Sequence, residues 1–117
     1  MYGVYGSWNP DNLATRTIAP GIISKLAWGD KLMLSLVTME PYAVVPTHSH
    51  PHEQMGILIS GTLELALGEE IRPLSGNAMF LIPGMMMHAT KAGPEGAVVV
   101  EAFSPPREEY KEKGPMD

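Results

Sequence analysis

Cysteine is absent from the 117 residues of the chain. This absence excludes disulfide bonds, thiolate metal ligands and a cysteine nucleophile. Basic residues are also few, because eight Lys and Arg residues are outnumbered by thirteen Asp and Glu residues, which leaves a formal charge of −5. No basic stripe is present that could follow a phosphate backbone, so nucleic acid is not an expected partner.

Long hydrophobic runs are missing as well. The longest apolar stretches are about half of the ~18 residues that a membrane-spanning helix needs, so no membrane partner is expected. Residues 1–12 lack the basic start and the apolar centre of a secretory signal peptide. A cytoplasmic location is therefore expected, and the length of the chain predicts a single domain.

Glycine and proline are frequent instead, with 12 and 11 copies spread along the chain. They separate about nine short segments of strand-like pattern, which predict an all-β sandwich or barrel. Residues 22–28 and 31–40, joined by Gly29 and Asp30, predict a β-hairpin. Ser60 and Gly61, and later residues 93–96, are interpreted as turns.

The chain divides into three parts by pattern. Residues 1–20 are interpreted as an N-terminal arm, residues 21–103 as the β-barrel and residues 104–117 as a C-terminal tail. In the tail, Pro105 followed by the acidic pair Glu108 and Glu109 predicts a short helix of at most two turns.

Three of the four histidines fall within five residues. His48 and His50 are two positions apart, so their side chains would share one strand face and could ligate one metal ion. Gln54 keeps that parity in an extended chain, whereas a bulge after the intervening proline would leave the direction of His52 open. His88 could add a third imidazole from an adjacent strand. Half-buried imidazoles must be paired or metallated, which favours a metal site.

Two segments of the chain resemble the sequence motifs of the cupin family, over residues 22–107. They are His48-x-His50-x3-Gln54-x6-Gly61 and, preceded by Gly76-Asn77, Pro83-x4-His88. The resemblance implies a double-stranded β-helix, which is a jelly-roll barrel, and commonly a homodimer. It also implies one divalent transition metal in the barrel mouth, where nickel, zinc, manganese and iron are all open. The ligands implied are His48, His50, Gln54 and His88.

Two positions depart from the usual cupin motifs. Gln54 stands where glutamate is usual, so a +2 metal would be held by neutral ligands only. Such a site should polarise a bound oxygen strongly and favours an anionic substrate. The second motif has one extra residue between Gly76 and Pro83, and Met85 where glycine is usual, which predicts a bulge ahead of His88.

The histidine segment, taken with residues 101–107, resembles a narrower group of cupins. This group acts in pectin and alginate degradation and linearises 4,5-unsaturated uronates into open-chain keto sugars. The acidic residue, the phenylalanine and the arginine of its last strand would correspond to Glu101, Phe103 and Arg107. The group usually has aspartate at the first of these positions, so Glu101 is one methylene longer.

The chemistry of these residues suits such a reaction. Glu101 and Phe103 share a strand face, and a carboxylate near a divalent metal could stay ionised and act as general base. Arg107 could bind a substrate carboxylate by a two-pronged ion pair, although a pairing of Glu101 with Arg107 is the alternative. Met87, the last of three consecutive methionines, would give the pocket an apolar, pliable rim in contact with the substrate.

Three functions are compatible with this set of residues. The leading hypothesis is an enzyme, a metal-dependent isomerase or lyase that opens and tautomerises a small anionic sugar acid or carbonyl compound such as an unsaturated uronate. The second is an iron-dependent dioxygenase. The third is a metal- or ligand-binding module without catalysis, which would have no activity to lose on substitution of Glu101.

Overall fold

The computed structural model describes residues 6–111 of the chain. These residues form eight strands, one turn of 3-10 helix (Pro10–Asn12) and one turn of α-helix, α1 (Glu108–Lys111). The strands are β1 (Arg16–Ala19), β2 (Ile22–Trp28), β3 (Met33–Met39), β4 (Val44–His48), β5 (Glu53–Leu67), β6 (Glu70–Leu74), β7 (Met79–Ile82) and β8 (His88–Ser104). The predicted all-β class and the short helix in the tail are confirmed.

All strand pairs are antiparallel, in the order β1-β2-β3-β8-β5-β6, with β4 beside β8 and β7 beside β5. β5 and β8 are the longest strands, with 15 and 17 residues, and pair along most of their length. Each has different neighbours at its two ends: β8 pairs with β4 and then β3, and β5 with β7 and then β6. The two long strands therefore extend along the full length of the barrel wall, as the predicted jelly roll requires.

The turns predicted at Gly61 and over residues 93–96 lie inside β5 and β8, so four of the nine expected short strands merge into two, and β1, which was not expected, brings the number to eight. β5 and β8 remain paired on both sides of these positions, where Thr62 of β5 alone lies opposite residues 93–96 of β8. The result is an irregular bulge, in which one residue of β5 faces four residues of β8. A Cβ at Gly61 would lie 2.0 Å from the carbonyl oxygen of Gly96, which explains why glycine is needed at this crossing.

The hairpin prediction is confirmed by the antiparallel pairing of β2 with β3. In β3 the inward residues are Met33, Ser35 and Val37, whereas the alternating leucines face outward, with Leu34 54% exposed. The fully buried apolar side chains come from strands all around the barrel: Ile22, Leu26, Met33, Leu58, Leu65, Ile82 and Val99.

The strands begin before the predicted barrel boundary at residue 21. β1 lies within the predicted arm and pairs with β2, with Arg16 opposite Ser24. It has four residues, all half-buried or exposed, which are too few to reveal a period of two. Residues 1–5 of the predicted arm and residues 112–117 of the predicted tail lie outside the described residues.

Across residues 6–111, no helix has the length and the apolar character needed to cross a membrane. The cytoplasmic location stays a prediction.

Candidate metal centre

Three histidine rings converge at one end of the barrel. His48 ends β4 and pairs in register with His88, which begins β8, while His50 lies in the loop after β4. The ring centroids of His48 and His88 are 4.3 Å apart, and those of His50 and His88 are 4.9 Å apart. One nitrogen of each ring lies within 4.8 Å of the others, so the three rings could hold a metal ion.

Backbone carbonyl groups orient all three rings. The pairs are Nδ1 of His48 with the oxygen of Pro46 at 2.8 Å, Nδ1 of His88 with that of Met86 at 2.8 Å, and Nδ1 of His50 with that of His52 at 3.1 Å. A carbonyl oxygen can only accept, so each Nδ1 carries the proton and each Nε2 presents a lone pair. Partners of this kind orient the histidine ligands of metal sites. The Nε2 of His88 is buried without a hydrogen-bond partner.

Gln54 brings an amide oxygen to the same place. Its Oε1 lies 3.0 Å from Nε2 of His50, and only 6% of Gln54 is exposed. In the tautomer that the carbonyl groups impose, neither atom carries a proton, so two lone pairs face each other. A shared cation stabilises such a contact.

Protonation of His50 does not resolve this contact. Burial, followed by the charges of Arg107 and His88, lowers the pKa of His50 to about 4. Burial also lowers the pKa of His88. Three neutral imidazoles and an amide oxygen are therefore available together, and this donor set fits a divalent transition metal.

His52 lies outside the converging group. Its ring is buried, with its centroid 5.3 Å from that of His50, and its backbone carbonyl orients the His50 ring. Among the described residues, the group with metal-ligand geometry consists of His48, His50 and His88. The backbone carbonyl of His52 thus positions the His50 ring, while the His52 ring itself lies outside the group.

Glu101 projects from β8 into the cavity next to Gln54. Its Oε2 accepts a hydrogen bond from Nε2 of Gln54. Burial raises the pKa of Glu101 to about 7, although the hydrogen bond from Gln54 and the charge of Arg107 lower it. A carboxyl group with this pKa can accept and release a proton near neutral pH.

The alternative ion pair between Glu101 and Arg107 is not among the salt bridges of residues 6–111. Arg107 instead has its Nε 3.5 Å from Oε1 of Glu109. That Nε is buried, and its charge partner is the Glu109 carboxylate, with which an anionic ligand would compete.

Arg107 and Tyr110 cover the mouth of the cavity. Nη1 of Arg107 donates to the hydroxyl of Tyr110 at 2.9 Å. The guanidinium carbon lies 4.2 Å from the ring centroid of Tyr110 and 5.3 Å from that of Phe103. Tyr110 was not predicted as a site residue, because a four-residue helix has no periodicity that marks its inner face.

The cavity has a volume of about 50 Å³. Its lining includes the predicted residues Glu101, Phe103 and Arg107, together with Ser35, which the sequence analysis did not identify. Pockets that bury drug-sized ligands measure about 300–1,000 Å³, so this cavity is smaller than a ligand of that size needs. Met87 is not part of the lining and is 48% exposed. The structure does not bring it to the cavity.

A small jelly-roll barrel with three histidines converging at one end is the arrangement of a cupin. The sequence profile of the family described as "Cupin domain" matches residues 35–103, more than half of the chain. The chain therefore belongs to the cupin family.

Two proteins similar to this chain carry the name KdgF. The chain is 28% identical over 102 residues to the pectin degradation protein KdgF of Dickeya dadantii, which covers 86% of this chain and 93% of that protein. It is 30% identical to KdgF from Halomonas sp., with a TM-score of 0.82 over 90% of this chain and 98% of the other. An RmlC-like cupin from Shewanella frigidimarina has a TM-score of 0.85 at 21% identity over 93% and 98%, a likeness of fold alone.

Proposed function

We propose that the protein is a metal-dependent isomerase that opens the ring of a 4,5-unsaturated uronate and tautomerises the product. The observation that carries the proposal is the double contact of Gln54, whose amide meets His50 on one side and Glu101 on the other. A cation site and a carboxylate thereby flank one cavity. The similarity to the two KdgF proteins, one of them named for pectin degradation, supports a uronate as the substrate.

The metal ligands in this proposal are His48, His50, His88 and Gln54. Together they would hold one divalent ion, with nickel, zinc, manganese and iron as candidates. When bound, the ion supplies Lewis-acid polarisation of a substrate oxygen. Because all four ligands are neutral, the site retains positive charge that attracts an anionic substrate.

Glu101 moves the proton. Its carboxylate accepts the proton of the hydroxyl group on C1 while the bond between C1 and the ring oxygen breaks, which leaves an aldehyde at C1 and an enolate at C5. Glu101 then returns the proton to C4, and the C5 oxygen becomes a ketone. No atom is gained or lost, so the reaction needs no oxidant or reductant.

Arg107 and Phe103 hold the substrate. The guanidinium of Arg107 lines the cavity and would form the ion pair with the uronate carboxylate, which would replace Glu109 as the partner of Nε. Phe103, below the guanidinium, keeps the cation at the mouth and offers an apolar face to the sugar ring. Met87 would contact only a substrate that extends beyond the cavity.

Assay of an unsaturated galacturonate tests this function. The protein is stripped with a chelator and reloaded separately with zinc, nickel, manganese or iron. With at least one metal, the absorbance of the conjugated C4–C5 double bond should fall faster than in buffer, and chelation should abolish the gain. Oxygen uptake with iron alone would instead identify a dioxygenase, and a metal-loaded protein without any conversion would identify a binding module. Either result contradicts the proposal.

The homodimer implied by the cupin resemblance has a candidate interface on the outer face of β2, β3, β8, β5 and β7. Two cross-strand rows cover this face in register: Ala27, Leu34, Ala102, Met55 and Leu81, and next to it Lys25, Leu36, Val100, Ile57 and Met79. Leu34 is 54%, Met55 53% and Met79 73% exposed. Lys25 is the one charged residue of the two rows, and its Nζ donates to the carbonyl oxygen of Pro10. The other residues of the rows are apolar, which is typical of an interface, and a second copy can present the same face across a two-fold axis.

Leu34→Glu should therefore convert the dimer to a monomer that still folds, because Leu34 is exposed within one chain and central to the rows. Sedimentation velocity measures the mass, and circular dichroism checks the fold. Ile71→Glu is the matched control, since Ile71 is 67% exposed and lies in β6, outside both rows. A wild-type monomer, or an unchanged dimer with Leu34→Glu, would refute this interface.

A further inference from the structure

Gln54 links the candidate metal site to the carboxylate that moves the proton. We propose that it is a positioning residue for Glu101 as well as a metal ligand. Its Oε1 lies 3.0 Å from Nε2 of His50, and its Nε2 donates to Oε2 of Glu101. The two ends of one buried amide thus set the distance between metal and carboxylate. The inference rests on the proposed function for the role of Glu101.

The pairing of β5 with β8 explains why this contact exists. Gln54 pairs with Phe103, and Glu101 pairs with Gly56, so Gln54 and Glu101 are diagonal neighbours across the two strands. Diagonal positions are roughly 7–8 Å apart, a gap that only long side chains bridge. The extra methylene of glutamate, compared with aspartate, extends the carboxylate toward the amide.

Gly56 makes room for the ring of Phe80. It lies directly opposite Glu101 on β8 and pairs with Phe80 on β7. A Cβ at this position would lie 2.3 Å from the ring of Phe80, so a larger residue would displace that ring. The register of β5 with β8 therefore sets the contact of Gln54 with Glu101, and Gly56 allows Phe80 to pack against the same strand.

The chemistry of the amide explains why residue 54 is not a glutamate. A side-chain amide has an acceptor oxygen for a cation and an N–H donor for a carboxylate. An ionised glutamate has no proton to donate and would place two carboxylates in contact, which adds repulsion. The N–H group of Gln54 thus orients Glu101. Because the amide is neutral, it also leaves the positive charge of the metal uncompensated.

Nuclear magnetic resonance can observe this amide directly, because Gln54 is the only glutamine of the chain. Labelling glutamine side chains with ¹⁵N gives one NH₂ group with two proton resonances. In the chelator-treated protein, one proton should lie well downfield of the other and exchange slowly with water. Glu101→Ala should return it to the position of a solvated amide, and Glu53→Ala, at the exposed neighbouring position, should not.

Addition of zinc tests both contacts together. The ¹⁵N resonance should shift as Oε1 ligates the ion, while the downfield proton persists. The proposal is overturned if the wild-type protons both resemble a solvated amide, if the downfield proton survives Glu101→Ala, or if zinc abolishes it. The wild-type spectrum tests the proposal even if a variant does not fold. None of these readouts depends on turnover, so a failed uronate assay would contradict the proposed function and leave the positioning role to be decided by the spectrum.

Discussion

Glu101→Gln is expected to slow uronate conversion by about 100- to 10,000-fold, the usual contribution of a positioned acid or base. Glutamine has nearly the same shape, and its Oε1 can still accept the hydrogen bond from Gln54. The site should therefore keep its geometry and its metal. What is lost is the group that accepts the proton from the C1 hydroxyl and returns it to C4.

The comparison is made at saturating metal, with initial rates and with the metal content of the purified variant. Glu53→Gln removes the same charge at an exposed position next to Gln54 and should retain the wild-type rate. A wild-type rate in Glu101→Gln would show that another group moves the proton. Loss of the metal from this variant would show that Glu101 belongs to the ligand set.

His88→Ala is expected to weaken metal binding by more than about 100-fold, because substitution of groups that merely orient a ligand already reduces affinity by 10- to 100-fold. His88 is 3% exposed, and its Nε2 has no hydrogen-bond partner among the described residues. Its removal deletes one of the three converging imidazoles, the one that β8 provides. Titration calorimetry with zinc measures the affinity.

His52→Ala is the matched control for this variant. His52 is also buried, at 8% exposure, and lies close to His50, but its ring is outside the converging group. The His52→Ala variant should bind zinc with nearly wild-type affinity, because only the backbone carbonyl of residue 52 contacts a ligand ring. An equal loss in both variants would refute the ligand assignment and point to a general effect on the loop.

Local pattern was sufficient to predict most of the strands and the histidines that converge at the centre. The spacing of His48 and His50 predicted convergence, and the rings do converge, although His50 lies beyond the end of β4. Alternation in the last strand placed Glu101 and Phe103 on the inner face, and both line the cavity. These features depend on neighbours two positions away, which the sequence displays.

Features set by register between distant strands could not be predicted. The contact of Gln54 with Glu101 depends on the diagonal placement of the two residues, a relation that arises only when β5 pairs with β8. The outward direction of Leu34 follows from which face of the sheet the barrel closes over, and alternation alone is symmetric between the two faces. Tyr110 reaches the mouth through the path of the tail, which no local pattern encodes.

Direct observation of the reaction product is the most direct test of the proposed isomerase activity. Unsaturated galacturonate is mixed with metal-loaded protein and observed by proton magnetic resonance, beside the chelated protein and beside buffer. If the protein opens the uronate ring, the alkene proton at C4 should disappear at an enhanced rate with the loaded protein alone, while signals of an open-chain 5-keto sugar acid of the same composition appear. An alkene signal that decays no faster than in buffer, with stoichiometric metal bound, would contradict this activity.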